Sequence, residues 1–527
     1  MSLARAWCRH LSGSWLAVLP VPGAILTRGV LLACALVIVA CGGHAVGASG
    51  ATGASASGAT GASSSPGADW PTFDYNSQRS GVGPSSTGIA AGNLSQLALR
   101  TVQIGGVADS SAIELHAVKV SGRRRDLIAV TTTYGKTIAL DPGTGAKLWE
   151  FVPRGVNSAP GNPQVTTAAP TADPDRRYIY TASPDGAIHK LSVASGRQVW
   201  SRSVTFDAHH EKIASALNVS GSDLVVVTGG YIGDAPPYDG HVVTIDRASG
   251  RIIHVWNSEC ANRHRLIRAS SCPVTNTQGD NAIWGRAGAV IEPGSRRILV
   301  ATGNGPFDGS TSWGDSVLEL SPDASRLLHN WTPPDQLALS RSDTDLGSAS
   351  PAVLPTFHGF HLAVQGAKDG KLHLLDLDRL NGTRGGPGKR LGGELREIAS
   401  PGGGQVLTAP AVWRAGGRVF VFVGDFSGSA GYELVGGTRP RLRIAWQNST
   451  PGTSPVVAGG LLYSYDEIHG QLVVRQPLSG ALLRSLPAAS GHWNSPIVAG
   501  GRIILPTGTY LSNAASSVID IYHLPGR

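Results

Sequence analysis

Six short segments carry the side chains best suited to chemistry: Gly233-Asp234 to Asp239, Gly303-Asn304 to Asp308, Asp343-Thr344-Asp345, Lys368-Asp369-Gly370, Gly424-Asp425 and His209-His210-Glu211. Carboxylate and amide oxygens hold hard cations or accept protons, and the Lys368 ammonium can steady developing anionic charge. Asp-Gly and Asn-Gly are also ordinary turn formers, which is the preferred reading of Asp425 and of Asp185-Gly186. A hydrolase finds little support. Ser, His and Asp are abundant, but no Gly-x-Ser-x-Gly follows a suitable strand and precedes a helix.

The sulfur chemistry depends on where the chain resides. Arg5, Arg9 and Arg28 precede an uninterrupted apolar run from Val30 to Ala40, the order of an export signal. That run is shorter than the roughly 20 residues of a membrane span. It ends in Ile38-Val39-Ala40-Cys41-Gly42, which resembles a bacterial lipobox and implies a lipidated Cys41 as the mature N-terminus; an ordinary secretory signal is the alternative. Either way the protein leaves the cytoplasm. Residues 1–41 are thus an address, 42–69 a Gly/Ala/Ser-rich tether that buries nothing, and 70–527 the folded part. Cys8 and Cys34 go with the signal, leaving Cys260 and Cys272, separated by eleven residues, to close a disulfide in an oxidising compartment. No Cys-x-x-Cys-His is present, so a covalently attached c-type haem is excluded.

The elements that must position these residues follow from composition and repetition. With 69 Gly, 33 Pro and only 15% charged residues, the 527-residue chain suits many short strands broken by turns, not a helical bundle or a disordered chain. The formal charge is +8, yet only eight of the 44 basic residues are Lys, and they are scattered. Arg123, Arg124 and Arg125 read as a solvated hairpin turn, so nucleic acid is set aside.

Two patterns alternate along the folded part. The first is a short apolar strand around a small residue and Pro, as in Ser350-Pro351, Ala409-Pro410, Ser454-Pro455 and Ser495-Pro496, with degenerate copies starting at His116, Ser215 and Gly288. The second is a strand, an Asp- or Gly-containing turn and a strand that often ends in Trp, as in Asp141 to Gly145 to Trp149, Gly196 to Trp200 and Gly250 to Trp256. The last unit lacks a final strand after Val518 to Tyr522, while Leu97 to Val102 lies unpartnered ahead of the first. Joining them closes the ring and leaves no open sheet edge. The expected fold is all-β: an eight-bladed propeller of four-stranded blades, completed by an N-terminal strand.

The repeats resemble those of quinoprotein (pyrroloquinoline quinone, PQQ) dehydrogenases and of their non-catalytic envelope lipoprotein relatives, over about Trp70 to Pro525. Three segments carry the resemblance further. Trp284-Gly285, then Ala301 to Gly305, is similar to the stretch holding the Trp beneath the quinone and a calcium-ligating Asn, here Trp284 and Asn304. Asp234 falls near the calcium-binding Glu of those enzymes. Ala367-Lys368-Asp369-Gly370 is similar to the strand pair whose cation bonds the quinone oxygen, and Asp343 or Asp345 lies where the catalytic base belongs. The resemblance thereby implies calcium as Lewis acid, Lys368 at the quinone oxygen and a carboxylate removing the alcohol proton.

The departures are specific. Asp234 is shorter than Glu, the adjacent Cys-Cys disulfide is absent, and Asp335-Gln336-Leu337 lacks the Trp-Asp that carries the base. The preferred expectation is a lipid-anchored, extracytoplasmic propeller that binds a small ligand or an envelope protein partner without turnover. The alternative is a PQQ- and calcium-dependent dehydrogenase of an alcohol or sugar, with electrons leaving to a separate carrier.

Overall fold

The structure, a computed structural model, describes residues 69–157, 163–231, 235–272, 280–512 and 516–526. The export signal, Cys41, Asp234 and the tether up to residue 68 lie outside the described residues. Among the described residues no helix is long and apolar enough to cross a membrane.

Eight antiparallel four-stranded sheets form the blades. The first comprises Ile113–Val120, Arg123–Thr131, Thr137–Leu140 and Lys147–Phe151, and the next six follow the same order along the chain. The eighth is composite: Ile497–Ala499, Arg502–Thr507 and Ser517–His523 are completed by Ala98–Ile104 from the N-terminal side, paired from Ala98 opposite His523 to Ile104 opposite Ser517. The expected closure is therefore present. Arg123, Arg124 and Arg125 differ from expectation: the turn is made at Ser121 and Gly122, both at positive φ, and the three arginines open the following strand.

Neighbouring blades are locked by the repeat tryptophans. Three of the rings, Trp149, Trp200 and Trp446, reach the turn glycine of the next blade, where a side chain would intrude: a Cβ on Gly196 would lie 2.5 Å from Trp149, and one on Gly250 2.7 Å from Trp200. Both glycines have positive φ, so the turn and the packing demand the same residue. The indole N–H then donates to the adjoining blade, Trp149 Nε1 to Val193 O at 2.9 Å and Trp446 Nε1 to Pro477 O at 2.6 Å. These rings are core residues.

Before it reaches the eighth blade, the N-terminal segment visits the other seven. Trp70 N donates to Glu114 O, and Pro71 O accepts from Ala172 N. Ser77 Oγ donates to Val219 O, while Ser77 O accepts from Ile291 N. Gln78 Nε2 donates to Val353 O, Ser80 O accepts from Val412 N, and Gly81 O accepts from Val457 N. Within a dozen residues this strap bonds blades 1 to 7 in chain order. Arg79 anchors it, 2% exposed, donating to Phe73, Leu217 and Ala287 carbonyls. The strap bonds the inner strands of these blades, and the loops leading into those strands form the open mouth.

Candidate functional site

A cavity of about 180 Å³ opens at that mouth, lined by Trp284, Arg286, Lys212, Lys368, Asp343, Asp345, Trp493 and Tyr510 among others. Most of these side chains lie just ahead of an inner strand, Trp284 before Val290–Ile291, Asp345 before Ala352–Val353 and Trp493 before Ile497–Ala499. The segments leading into the inner strands of several blades therefore deliver the mouth residues.

Four residues singled out by sequence meet on one side. Lys368 Nζ lies 3.1 Å from Asp343 Oδ1 and also pairs with Asp345. Burial alone would lower the Lys368 ammonium, but Asp345 and Asp343 outweigh it and hold the group above its ordinary value. Asn304 N donates to Asp345 Oδ1 at 2.8 Å, and Asn304 Nδ2 to Asp343 Oδ1 at 3.1 Å. Asp343 adopts a left-handed φ of 53°, which turns the chain so that both carboxylates reach the same ammonium. Gly303 makes room: a Cβ there would collide with Asp345 Oδ1 and lie 3.1 Å from Trp284 Nε1. Lys368 also sits 5.4 Å from the Trp284 ring centre.

The opposite side was not anticipated. Trp493 stacks with Trp284, with ring centres 6.0 Å apart and planes at 28°. Arg286 lies over Trp493 at 5.2 Å and pairs with buried Asp109 at 2.7 Å. His492 approaches the same carboxylate at 3.0 Å, and Tyr510 N donates to it. Burial pushes Asp109 up, but Arg286 and His492 together draw it well below the usual carboxylate range. Only Arg286 had a sequence signal, two residues from Trp284 on the same extended segment. Asp425 serves its turn, as preferred from the sequence, and Asp369 serves the fold as well. Asp425 Oδ2 accepts from Gly402 N, and Asp369 accepts from Lys371 N and faces His373. Cys260 and Cys272 are bonded, with Cα atoms 6.0 Å apart.

The residues present suit a planar, conjugated ligand with polar edges: indole faces for stacking, and Lys368 and Arg286 for edge oxygens. They suit calcium less well. Asn304 Oδ1 is buried without a hydrogen-bond partner, but both adjoining carboxylates are engaged by Lys368. Among the described residues no three His, Cys, Asp or Glu side chains gather to hold a metal ion, and calcium takes about six to eight oxygens.

Residues 134–327 match the family described as outer membrane protein assembly factor BamB. Solved structures share the fold at low identity. Quinohaemoprotein alcohol dehydrogenase from Comamonas testosteroni is 15% identical with a TM-score of 0.60, over 86% of this chain and 80% of its own. A europium-containing methanol dehydrogenase is 16% identical with a TM-score of 0.61, over 87% of this chain and 98% of its own. No curated protein matches in sequence. The repeat and the eight closed blades make this chain an eight-bladed β-propeller, the fold it shares with those dehydrogenases.

Proposed function

We propose that this protein is a lipid-anchored, extracytoplasmic binding propeller that holds a planar ligand of the quinone class in its mouth without turning it over. One observation carries the reading: the cavity offers two indole faces, while both carboxylates that line it are engaged by Lys368. A carboxylate tied to an ammonium is a poor proton acceptor, which supports binding over catalysis. The anchor rests on Cys41, and the 42–69 tether would let the mouth meet an envelope partner at some distance from the membrane.

A second reading, a PQQ-dependent alcohol or sugar dehydrogenase, is favoured by the convergence of Trp284, Asn304, Asp345 and Lys368 in one cavity. Bound PQQ would supply an electrophilic carbonyl able to accept a hydride. Trp284 would stack beneath it, Lys368 would meet its oxygen, and Asp345, once released from Lys368, would take the alcohol proton.

Titration of PQQ into the detergent-solubilised chain, read by quenching of Trp fluorescence, tests both. The binding reading expects saturable quenching that is indifferent to a calcium chelator and is lost in Trp284→Ala, with no reduction of a redox dye. Calcium-dependent quenching and dye reduction that disappear in Asn304→Ala and Lys368→Ala would establish the dehydrogenase instead. Absence of any quenching would overturn both, and leave a propeller that recognises protein.

A further inference from the structure

Lys212 stands apart from the other cations of the cavity. Arg286 is neutralised by Asp109 and Lys368 by Asp343 and Asp345. Among the described residues no carboxylate pairs with Lys212. The residue is 6% exposed, lines the cavity, and holds its Nζ 4.3 Å from the centre of the Tyr510 ring. Its short strand, Glu211–Lys212, pairs with Gly229–Gly230. Successive side chains of a strand point to opposite sides, so Glu211 turns to Thr205 and His241 while Lys212 faces the mouth.

We propose that Lys212 is a carbonyl-capturing amine, which takes a flat aldehyde or ketone from the cavity as a covalent imine. An ammonium cannot attack a carbonyl, and a desolvated lysine beside a second cation is the usual way to obtain the free amine. Burial, and after it the Arg286 guanidinium, lower Lys212 to about 7 against the opposing pull of Asp109. Lys368, Asp343 and Asp345 line the same cavity, and His492 lies against Asp109. Tyr510 and Tyr231 are kept protonated, chiefly by burial.

The Lys212 nitrogen lone pair attacks the carbonyl carbon and forms the C–N bond. The carbonyl oxygen then leaves as water with the two hydrogens of the amine, and the C=N bond remains. No electrons are gained or lost. Trp284 and Trp493 give the flat body of the ligand its stacking surface. The step requires neither bound quinone nor metal, so it stands apart from the reading above.

The test exposes the full chain, in detergent, to 4-carboxybenzaldehyde with sodium cyanoborohydride, which only fixes imines already formed. Modified peptides are then mapped by mass. The other seven lysines are internal controls, and Lys147, with 57% of its side chain exposed, is the natural reference. Lys212 is expected to react at least about tenfold faster than Lys147 at neutral pH, with its rate half-maximal near pH 7. Lys212→Arg should remove this fast phase and leave the slow labelling unchanged. Labelling of Lys212 no faster than Lys147 in the unaltered chain overturns the proposal, and that readout requires no variant to fold.

Discussion

Arg286 and Asp109 lie 177 residues apart in the chain, yet Arg286 Nη2 and Asp109 Oδ1 meet at 2.7 Å across the channel mouth. With His492 on the same carboxylate, the contact ties the entry loops of three blades. Arg286→Met should leave buried Asp109 without its guanidinium, with only His492 and Tyr510 N as partners, at a cost of about 3–5 kcal/mol in urea denaturation. Asp109 is depressed below its unfolded value of 3.8. Its contribution is therefore complete above about pH 4 and lost as the solution becomes more acid. The variant should show a shallower acid arm than the parent.

The glycine that meets each blade tryptophan gives a sharper test of packing. Gly250 sits at a φ of 73° with Trp200 against it. Gly250→Ala is expected to cost about 2–4 kcal/mol, joining backbone strain to overpacking. The urea midpoint measures it, and Gly294→Ala, also at positive φ but with open space around its Cβ position, should cost about 1 kcal/mol or less.

A buried acidic cluster beneath the Cys260 loop should make the fold sensitive to alkali. Burial raises Asp280 to about 6, Asp239 to about 7 against the pull of His241, and Glu259 to about 9 with help from Asp239 and Asp280. All three lie above their unfolded values, so their contribution is complete below about pH 4 and declines as pH rises through about 6 to 9. Urea midpoints should fall across that window. Glu259→Gln should flatten the upper part of the decline, and an unchanged slope would count against the assignment.

The Cys260–Cys272 bridge closes a short loop. Replacing both with Ser should lower stability by about 2–3 kcal/mol, the loop-closure estimate for a ring of this size. Comparing midpoints of the parent, with and without reductant, and of the double variant separates the bond from any packing change.

Repetition made the architecture legible, because most blades write their strands and turns locally, often with a tryptophan in the outer strand. Ala98–Ile104 could be matched to the unfinished eighth blade for the same reason. The site was legible in one half only. Trp284, Asn304, Asp345 and Lys368 stand in segments with a recognisable pattern, and they do converge. Asp109, Trp493 and Tyr510 come from loops, and Lys212 from a two-residue strand, without such a pattern, and only ring closure brings them together. Lys212 follows the noticed Glu211, but alternation along two strand residues sends the pair to different environments. Asp425 was legible as a turn residue, whereas nothing in the sequence separates a turn-capping carboxylate such as Asp369 from a ligand-binding one.

The strap from Trp70 to Gly81 has a consequence for how the molecule is made. Its bonding partners run from Glu114 to Val457, so this early stretch of the propeller cannot complete its contacts until seven blades exist. Contacts that join distant parts of a chain form late, after the entropy of the intervening loops has been lost. The first residues of the propeller to emerge are thus among the last to be seated. A partly made chain keeps both its leading strand and its growing edge exposed until the final turn of the circle.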